Sequence, residues 1–362
     1  MEEWKIKQQK VREFLRAKDL SAFIFSRRSS FAWLTDGGES CVNEASIMGD
    51  AHLVITPERL YVIAPNNEMN RLLEEVLGDQ GYEPLSYSWW ENGIPTIEKL
   101  FKAGRVGSDM ALPGCVDLYQ EVKRLRYNLM PGEQERIRIL GKRAADILSE
   151  VCRQIHPGDS EIKIAGVVKG KMDSEGIATP VVLVAADDRI TRYRHPLPTE
   201  KEVERLVMVV VCARRWGLTV ALTRMVHFGS VPRILSERFR EVNTILARLI
   251  SATTPGKPIK EIFSLAIQTY AELGYPYEWK NHHQGGPIGY DTREYLASPE
   301  CDDIVLPAQG FAWNPTLPGV KAEDTILALE EEQEILTVGK DWPTQIIETD
   351  RGKLEMPDIL TL

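Results

Sequence analysis

Three short segments of this 362-residue chain carry side chains suited to chemistry. The richest is His282-His283-Gln284-Gly285-Gly286. Imidazole titrates near neutral pH, so histidines serve as proton carriers or metal ligands. Adjacent residues on a strand face opposite sides, so this spacing predicts that one of the two faces a given pocket. The other is then a surface or hydrogen-bonded structural residue. The second segment is Thr191-Arg192-Tyr193-Arg194-His195-Pro196. A His between Arg and Pro sits in a loop, where ligand contacts concentrate, or is simply exposed there. The third runs from Trp313-Asn314-Pro315 to Gly319-Val320-Lys321-Ala322-Glu323-Asp324-Thr325. The strand-like Ile326-Leu327-Ala328-Leu329 behind it puts Glu323 near a strand start, facing a pocket or solvent. The chain has no dense cluster of metal-ligating types, no P-loop, no G-x-G-x-x-G and no G-x-S-x-G elbow, so nucleotide and serine-hydrolase chemistry lack support.

The elements that must position these segments follow from hydrophobic period. Residues 2–19 carry a rough apolar stripe of Trp4, Ile6, Val11, Phe14 and Leu15, which predicts a helix. Short strands are expected at 22–25, 52–55 and 60–64, the last two joined by the turn Thr56-Pro57-Glu58-Arg59. Helix is expected again over 66–78, and Arg105–Asp109 reads as a strand end. Asn128-Leu129-Met130-Pro131-Gly132 reads as a boundary. Beyond it, Ile137, Leu140, Ala144, Ile147, Leu148, Val151 and Ile155 predict a long helix, and Ser160 is placed to cap the next. A further helix is predicted over 231–250. Strands are predicted at 181–185, 206–212 and 218–223, and Gly- and Pro-punctuated β structure fills the last third. Domains of 1–130 (α/β) and 131–362 (α+β) result, with helices on one face of an antiparallel sheet in the second.

Composition sets the class. Hydrophobic residues make up 43%, charged residues 27%, and the net charge is −9. That is a globular chain without the basic face a nucleic-acid binder needs. Its longest apolar runs are far short of a membrane span. Five scattered cysteines with no C-x-x-C pair, and no signal-like start, predict a cytoplasmic protein without a disulfide framework.

In order, the segments are the His-Pro loop, a strand through Gly217-Leu218 and Leu222-Thr223-Arg224, the His-His-x-Gly-Gly stretch, Asn314-Pro315, and Lys321-x-Glu323-Asp324-Thr325. That order resembles the superfamily of aminopeptidase P, prolidase, methionine aminopeptidase and creatinase. Ser30–Gly38 likewise resembles a loop of the creatinase-type N-terminal domain. The resemblance implies an α/β creatinase-like N-terminal domain followed by an α+β pita-bread C-terminal domain. It also implies a homodimer, in which Arg27 and Arg28 reach the neighbour or form an exposed basic turn.

Peptidases of that superfamily hold two metal ions with two Asp, one His and two Glu. The matching residues here are Val210, Ala221, Gly286, Asn314 and Glu323, so four of the five ligands are absent and no metal or other cofactor is expected, unless a compensating ligand arrives from Asp187, Asp188 or Cys212. Val207–Val211 accordingly reads as a fully buried apolar strand, where a lone Asp would be costly. The surrounding polar residues match better: His195 and His282 stand where the peptidases have histidines, Arg293 replaces a third, and Lys321 replaces an Arg. That pattern resembles creatinase, the metal-free member, although Thr223 and Asn314 stand where creatinase has the carboxylates that grip a guanidinium.

The resulting expectation is a metal-independent enzyme that hydrolyses a C–N bond of a small, carboxylate-bearing substrate. His195 is the acid/base, His282 polarises or binds the substrate, and Glu323 orients or charge-balances His195 or binds a cationic substrate group. Arg224, His283, Arg293, Asn314 and Lys321 bind the substrate. For the three cations, structural pairing with Asp291, Glu294 or Asp324 is the competing assignment. Two alternatives stand beside this one: a non-catalytic relative that binds a peptide or metabolite in the old cleft, and an Xaa-Pro metallopeptidase. The expected partner in either case is a small molecule or short peptide, with no nucleic acid and no membrane.

Overall fold

A computed structural model describes residues 2–100 and 104–362, and the chain divides into two compact units. Unit one comprises residues 2–132 with the turn Trp216–Leu218; unit two comprises Glu133–Arg215 and Thr219–Leu362.

Unit one opens with helix α1 (Glu3–Lys18), followed by β1 (Ala22–Arg27), α2 (Arg28–Leu34), β2 (Met48–Ile55) and β3 (Leu60–Pro65). Helix α3 (Asn66–Arg71) runs on into a π-helical turn, and β4 (Glu83–Tyr87), α4 (Ile94–Leu100), β5 (Val106–Ser108), β6 (Val116–Asp117) and α5 (Tyr119–Val122) complete it. The six strands form one mixed sheet in the order β4-β3-β2-β1-β5-β6. The hairpin turn at 56–59 is present, closed by Thr56 N–H donating to the Arg59 carbonyl. One end of β1 and β2 holds a buried polar knot. His52 Nδ1 lies 2.7 Å from Ser26 Oγ, and Asp109 accepts the backbone N–H groups of Ser26 and Arg27 at 2.7 and 3.2 Å. Arg27 and Arg28 do not form the exposed basic turn. Arg28 is buried against Glu39 and the Glu44 carbonyl, while Arg27 donates to the Asp109 carbonyl and stacks on Tyr119. Both are committed inside the unit, which corrects the expectation that they reach outward.

Helix α6 (Pro131–Arg153) starts on a proline, whose missing N–H costs nothing at the first helical position. Its buried face carries Ile137, Leu140, Ala144, Ile147, Leu148 and Val151, the stripe read from period. Ser160 caps α7 (Glu161–Asp173), accepting the Lys163 N–H at 3.3 Å. Then come β7 (Ala178–Ala186), α8 (Asp188–Arg192), β8 (Leu206–Arg215), β9 (Leu218–His227), α9 (Arg233–Ala252) and α10 (Ile259–Glu272). Helix α10 departs from the expected all-β final third. Ile259, Ile262, Phe263, Ala266 and Tyr270 bury one face of it at helical spacing, and the flanking Pro and Gly had obscured that signal.

The remaining strands are short: β10 (Gly285–Ile288), β11 (Gln309–Trp313), β12 (Thr316–Leu317), β13 (Val320–Lys321), β14 (Asp324–Ala328), β15 (Gln333–Ile335), β16 (Thr344–Thr349), β17 (Gly352–Pro357) and β18 (Leu360–Thr361). Two four-stranded sheets result, β18-β9-β8-β7 and β10-β11-β14-β15. An isolated bridge, Thr223 with Glu323, joins them, and Ala221 exchanges backbone hydrogen bonds with Thr325 Oγ1 at 2.8 Å. Helices α9 and α10 pack on this double sheet through Phe239, Val242, Ile245, Leu246 and Ile262. Val207–Val211 is fully buried as expected, and each valine contributes about 1.5–3 kcal/mol. Among the described residues no helix is long and apolar enough to cross a membrane.

Candidate functional site

A cavity of about 270 Å³ opens in unit two. Its apolar wall is Val181 and Leu183 of β7 with Val210 and Cys212 of β8. These are alternate residues on paired strands, with Val181 opposite Cys212 and Leu183 opposite Val210, so all four project to one face. The polar wall is His195, His283, Thr292, Arg293, Asn314, Lys321 and Glu323. Irregular backbone delivers most of them: His195 comes from the loop after α8, and Arg293 from the segment after β10.

Glu323 is buried beneath this wall, and its carboxylate is fully engaged. Lys321 Nζ lies 2.8 Å away, Arg293 Nη2 donates at 3.0 Å, and Thr223 Oγ1 donates at 2.8 Å. Burial alone would raise its pKa. Lys321 and Arg293 overcome that and hold it down at about 2. The expected role of orienting His195 is not what this geometry supports, because both oxygens are taken by other groups.

The three histidines gather at one edge of the cavity. His282 Nε2 sits 3.1 Å from His195 Nε2, and the His282 and His283 rings stack at 4.4 Å. The expectation that only one of the adjacent histidines faces a given pocket holds, since His283 lines the cavity and His282 lies behind it, although the two rings stack. A 3-10 turn, Glu278–Asn281, precedes them and strand β10 starts only at Gly285, so the alternation of a strand does not apply. Burial, then the Lys321 charge, pushes His282 down to about 2. Burial and Arg293 push His283 down to about 4, and burial lowers His195, which is exposed, below the usual range. All three rings are neutral at pH 7.

Several buried polar atoms here have no partner: Nδ1 of His282 and of His283, Nε of Arg293, and Oδ1 of Asn314. Buried polar groups are usually satisfied, and of these residues His283, Arg293 and Asn314 line the cavity, where water or a ligand can complete them.

Arg224 is not part of this wall. Alternation along β9 turns it to the face opposite Thr223, where it is buried and pairs with Asp324 at 2.9 Å. It also donates to the Thr223 and Thr337 carbonyls. The competing structural assignment is the one realised, and substrate binding by Arg224 is corrected. Asp187 is no substitute ligand either, since its carboxylate accepts the N–H groups of Glu204, Arg205 and Leu206 at 2.9 Å. Cys212 lines the cavity, but burial pushes its thiol to about 11, so it is protonated. The lining residues Val181, Leu183 and Thr292 were not singled out as site residues from sequence; the first two were findable from their period-two spacing once the sheet face was known.

This fold, a creatinase-like α/β domain followed by a pita-bread α+β domain, defines a class of peptidases and their relatives. Residues 135–330 match metallopeptidase family M24, and the chain belongs to that family. The Xaa-Pro dipeptidase of Pyrococcus horikoshii is 23% identical over 354 residues, 91% of this chain and 96% of that protein. The solved dipeptidase from P. horikoshii superposes with a TM-score of 0.79 at 17% identity, covering 98% of this chain and all of that one (100%). The N-terminal domain of the FACT complex subunit SPT16 from chickpea, Cicer arietinum, superposes at 0.67 with 13% identity, over 92% of this chain and 95% of that one.

The residues that the resemblance sets against the family's metal ligands do not fit a metal pair. Val210 and Ala221 offer no donor, and Glu323 is consumed by its ion pairs. Gly286 has φ +147°, and a Cβ there would meet the Tyr295 carbonyl at 2.7 Å and the Ala297 nitrogen at 2.8 Å. The backbone excludes any side chain at that position, a histidine included.

Proposed function

We propose that this Xaa-Pro dipeptidase-like member of the family works without the paired metal centre and hydrolyses a C–N bond in a small molecule bearing a carboxylate. The observation that carries the reading is the pair of orphaned atoms, Arg293 Nε and Asn314 Oδ1, on a wall with surplus positive charge. Lys321 and Arg293 share a single carboxylate, Glu323, so one positive charge is left over. A ligand carboxylate accepts from Arg293 Nε–H and from Lys321, forming charge-assisted bonds. Asn314 Oδ1 accepts an N–H of the substrate. The aliphatic face of Val181, Leu183 and Val210 receives its apolar part.

His195 acts as the acid/base. As water adds to the carbon, the imidazole takes a water proton. As the C–N bond breaks, the same proton goes to the departing nitrogen. His282, in Nε2 contact with His195, positions that ring. Glu323 is a positioning residue that holds Lys321 and Arg293.

The test is turnover of N-acyl, N-carbamoyl and guanidino acids by chelator-treated protein, with product read by chromatography. Turnover that survives chelation and disappears in His195→Ala supports the reading. Hydrolysis confined to Xaa-Pro dipeptides and dependent on added manganese overturns it. A second reading is favoured by the engaged state of Glu323, which leaves His195 without a carboxylate partner: the cleft binds its ligand and releases it unchanged. Calorimetric binding with no product would select that reading.

A further inference from the structure

The three imidazoles do more than line a cavity. His195, His282 and His283 each present a ring nitrogen, and the three nitrogens lie within 4.8 Å of one another. Tetrahedral zinc with imidazole nitrogens at about 2.0–2.1 Å needs ligand atoms about 3.3 Å apart. The His195–His282 separation of 3.1 Å is already close to that, and His195 sits on an exposed loop. His283 Nδ1 is buried without a partner, and His282 Nε2 has another imidazole nitrogen, that of His195, beside it. Two imidazoles stacked in contact with a third, with unsatisfied nitrogens between loops, are an arrangement that a shared cation would explain better than packing does.

We infer that His195, His282 and His283 form a binding site for one zinc-type divalent ion per chain. The site is separate from the family's paired centre, since none of its ligands occupies the positions of Val210, Ala221, Gly286, Asn314 or Glu323. Neutral imidazoles suit zinc, copper and nickel, whereas magnesium and calcium prefer oxygen. Lys321 and Arg293 oppose a cation, and Glu323 offsets only one of them, so the site favours an anion as the fourth ligand. That gives the ion a consequence which rests on the acid/base reading above. With zinc on its nitrogen, His195 has no lone pair for a proton, and zinc acts as an inhibitor rather than as a cofactor.

Equilibrium dialysis of the chelator-treated full chain against zinc chloride, without substrate, tests the site independently of turnover. One zinc per chain is expected in the wild type. Binding should weaken by more than about tenfold in His283→Ala and in His195→Ala, since losing even an outer-shell partner has that effect. Asn314→Ala should bind zinc as the wild type does. Cobalt should give the intense visible bands of tetrahedral coordination, and these should vanish in His283→Ala. Absence of zinc uptake, uptake unchanged in both His variants, or uptake lost in Asn314→Ala would overturn the site. A failed turnover assay leaves this outcome readable, because dialysis needs no substrate.

Discussion

Two buried histidine environments can be compared in this molecule. In unit one, His52 bonds to Ser26 Oγ, and Asp109 beneath it accepts two backbone N–H groups. His52 Nδ1, the Ser26 hydroxyl and the Asp109 carboxylate are all paired in this knot. In unit two, His282 and His283 are also largely removed from water, yet each leaves a ring nitrogen unpaired, His283 on the cavity wall and His282 behind it. Burial alone therefore does not distinguish a structural histidine from a functional one. Whether the neighbours complete its hydrogen bonds does. Asp324 and Glu323 repeat the contrast one residue apart. Asp324 is sealed with Arg224 and Thr337 behind β14, whereas Glu323 holds two cations against an open cavity.

That contrast is breakable by experiment. The largest effect is expected from Arg224→Met, which leaves Asp324 buried and unpaired. Urea unfolding should show a loss of about 3–5 kcal/mol, with any ligand binding of the residual folded protein unchanged. His195→Ala should do the reverse. Stability should move by less than about 0.5 kcal/mol because the residue is exposed, while turnover falls by about 10²–10⁴-fold. A stability loss comparable to that of Arg224→Met would erase the distinction between the two groups.

Gly286→Ala sharpens the point about the missing ligand. Its Cβ meets backbone atoms at 2.7 and 2.8 Å, so thermal unfolding should report a loss of about 1–3 kcal/mol from overpacking. The smallest effect concerns pH. Burial holds His52 at about 4 against an ordinary 6.5. The unfolded chain thus takes up a proton below about 6.5 that the folded chain refuses until about 4. Stability should fall as pH drops through that window and level off beneath it. His283, at about 4, and His282, at about 2, add to the same slope. His52→Asn should remove only part of it, on the order of 1–3 kcal/mol between pH 7 and pH 4. An unchanged slope would mean that the knot in unit one is open to water.

Much of the site was legible before the fold was known. His195, His283, Arg293, Asn314, Lys321 and Glu323 all reach the cavity wall, with His282 directly behind. The order of segments placed them, and their polarity in otherwise apolar surroundings marked them. What escaped was direction. Arg224 and Thr223 are neighbours with opposite fates, because a strand sends successive side chains to opposite faces and the sequence does not label the faces. For His282 and His283 only the stacking of the two rings escaped, since the segment between the 3-10 turn and β10 is not a regular strand. Helix α10 escaped because flanking Pro and Gly outweighed a short stripe.

The sequence alone therefore determined the two-part architecture and the apolar strand Val207–Val211. Those are properties of side-chain chemistry and period, which read locally. Tertiary structure alone decided that Gly286 has no room for a side chain, that Glu323 is held by Lys321 and Arg293, and that three histidines from two loops converge. Each of these depends on contacts between residues far apart along the chain, and a linear pattern carries no distance between them.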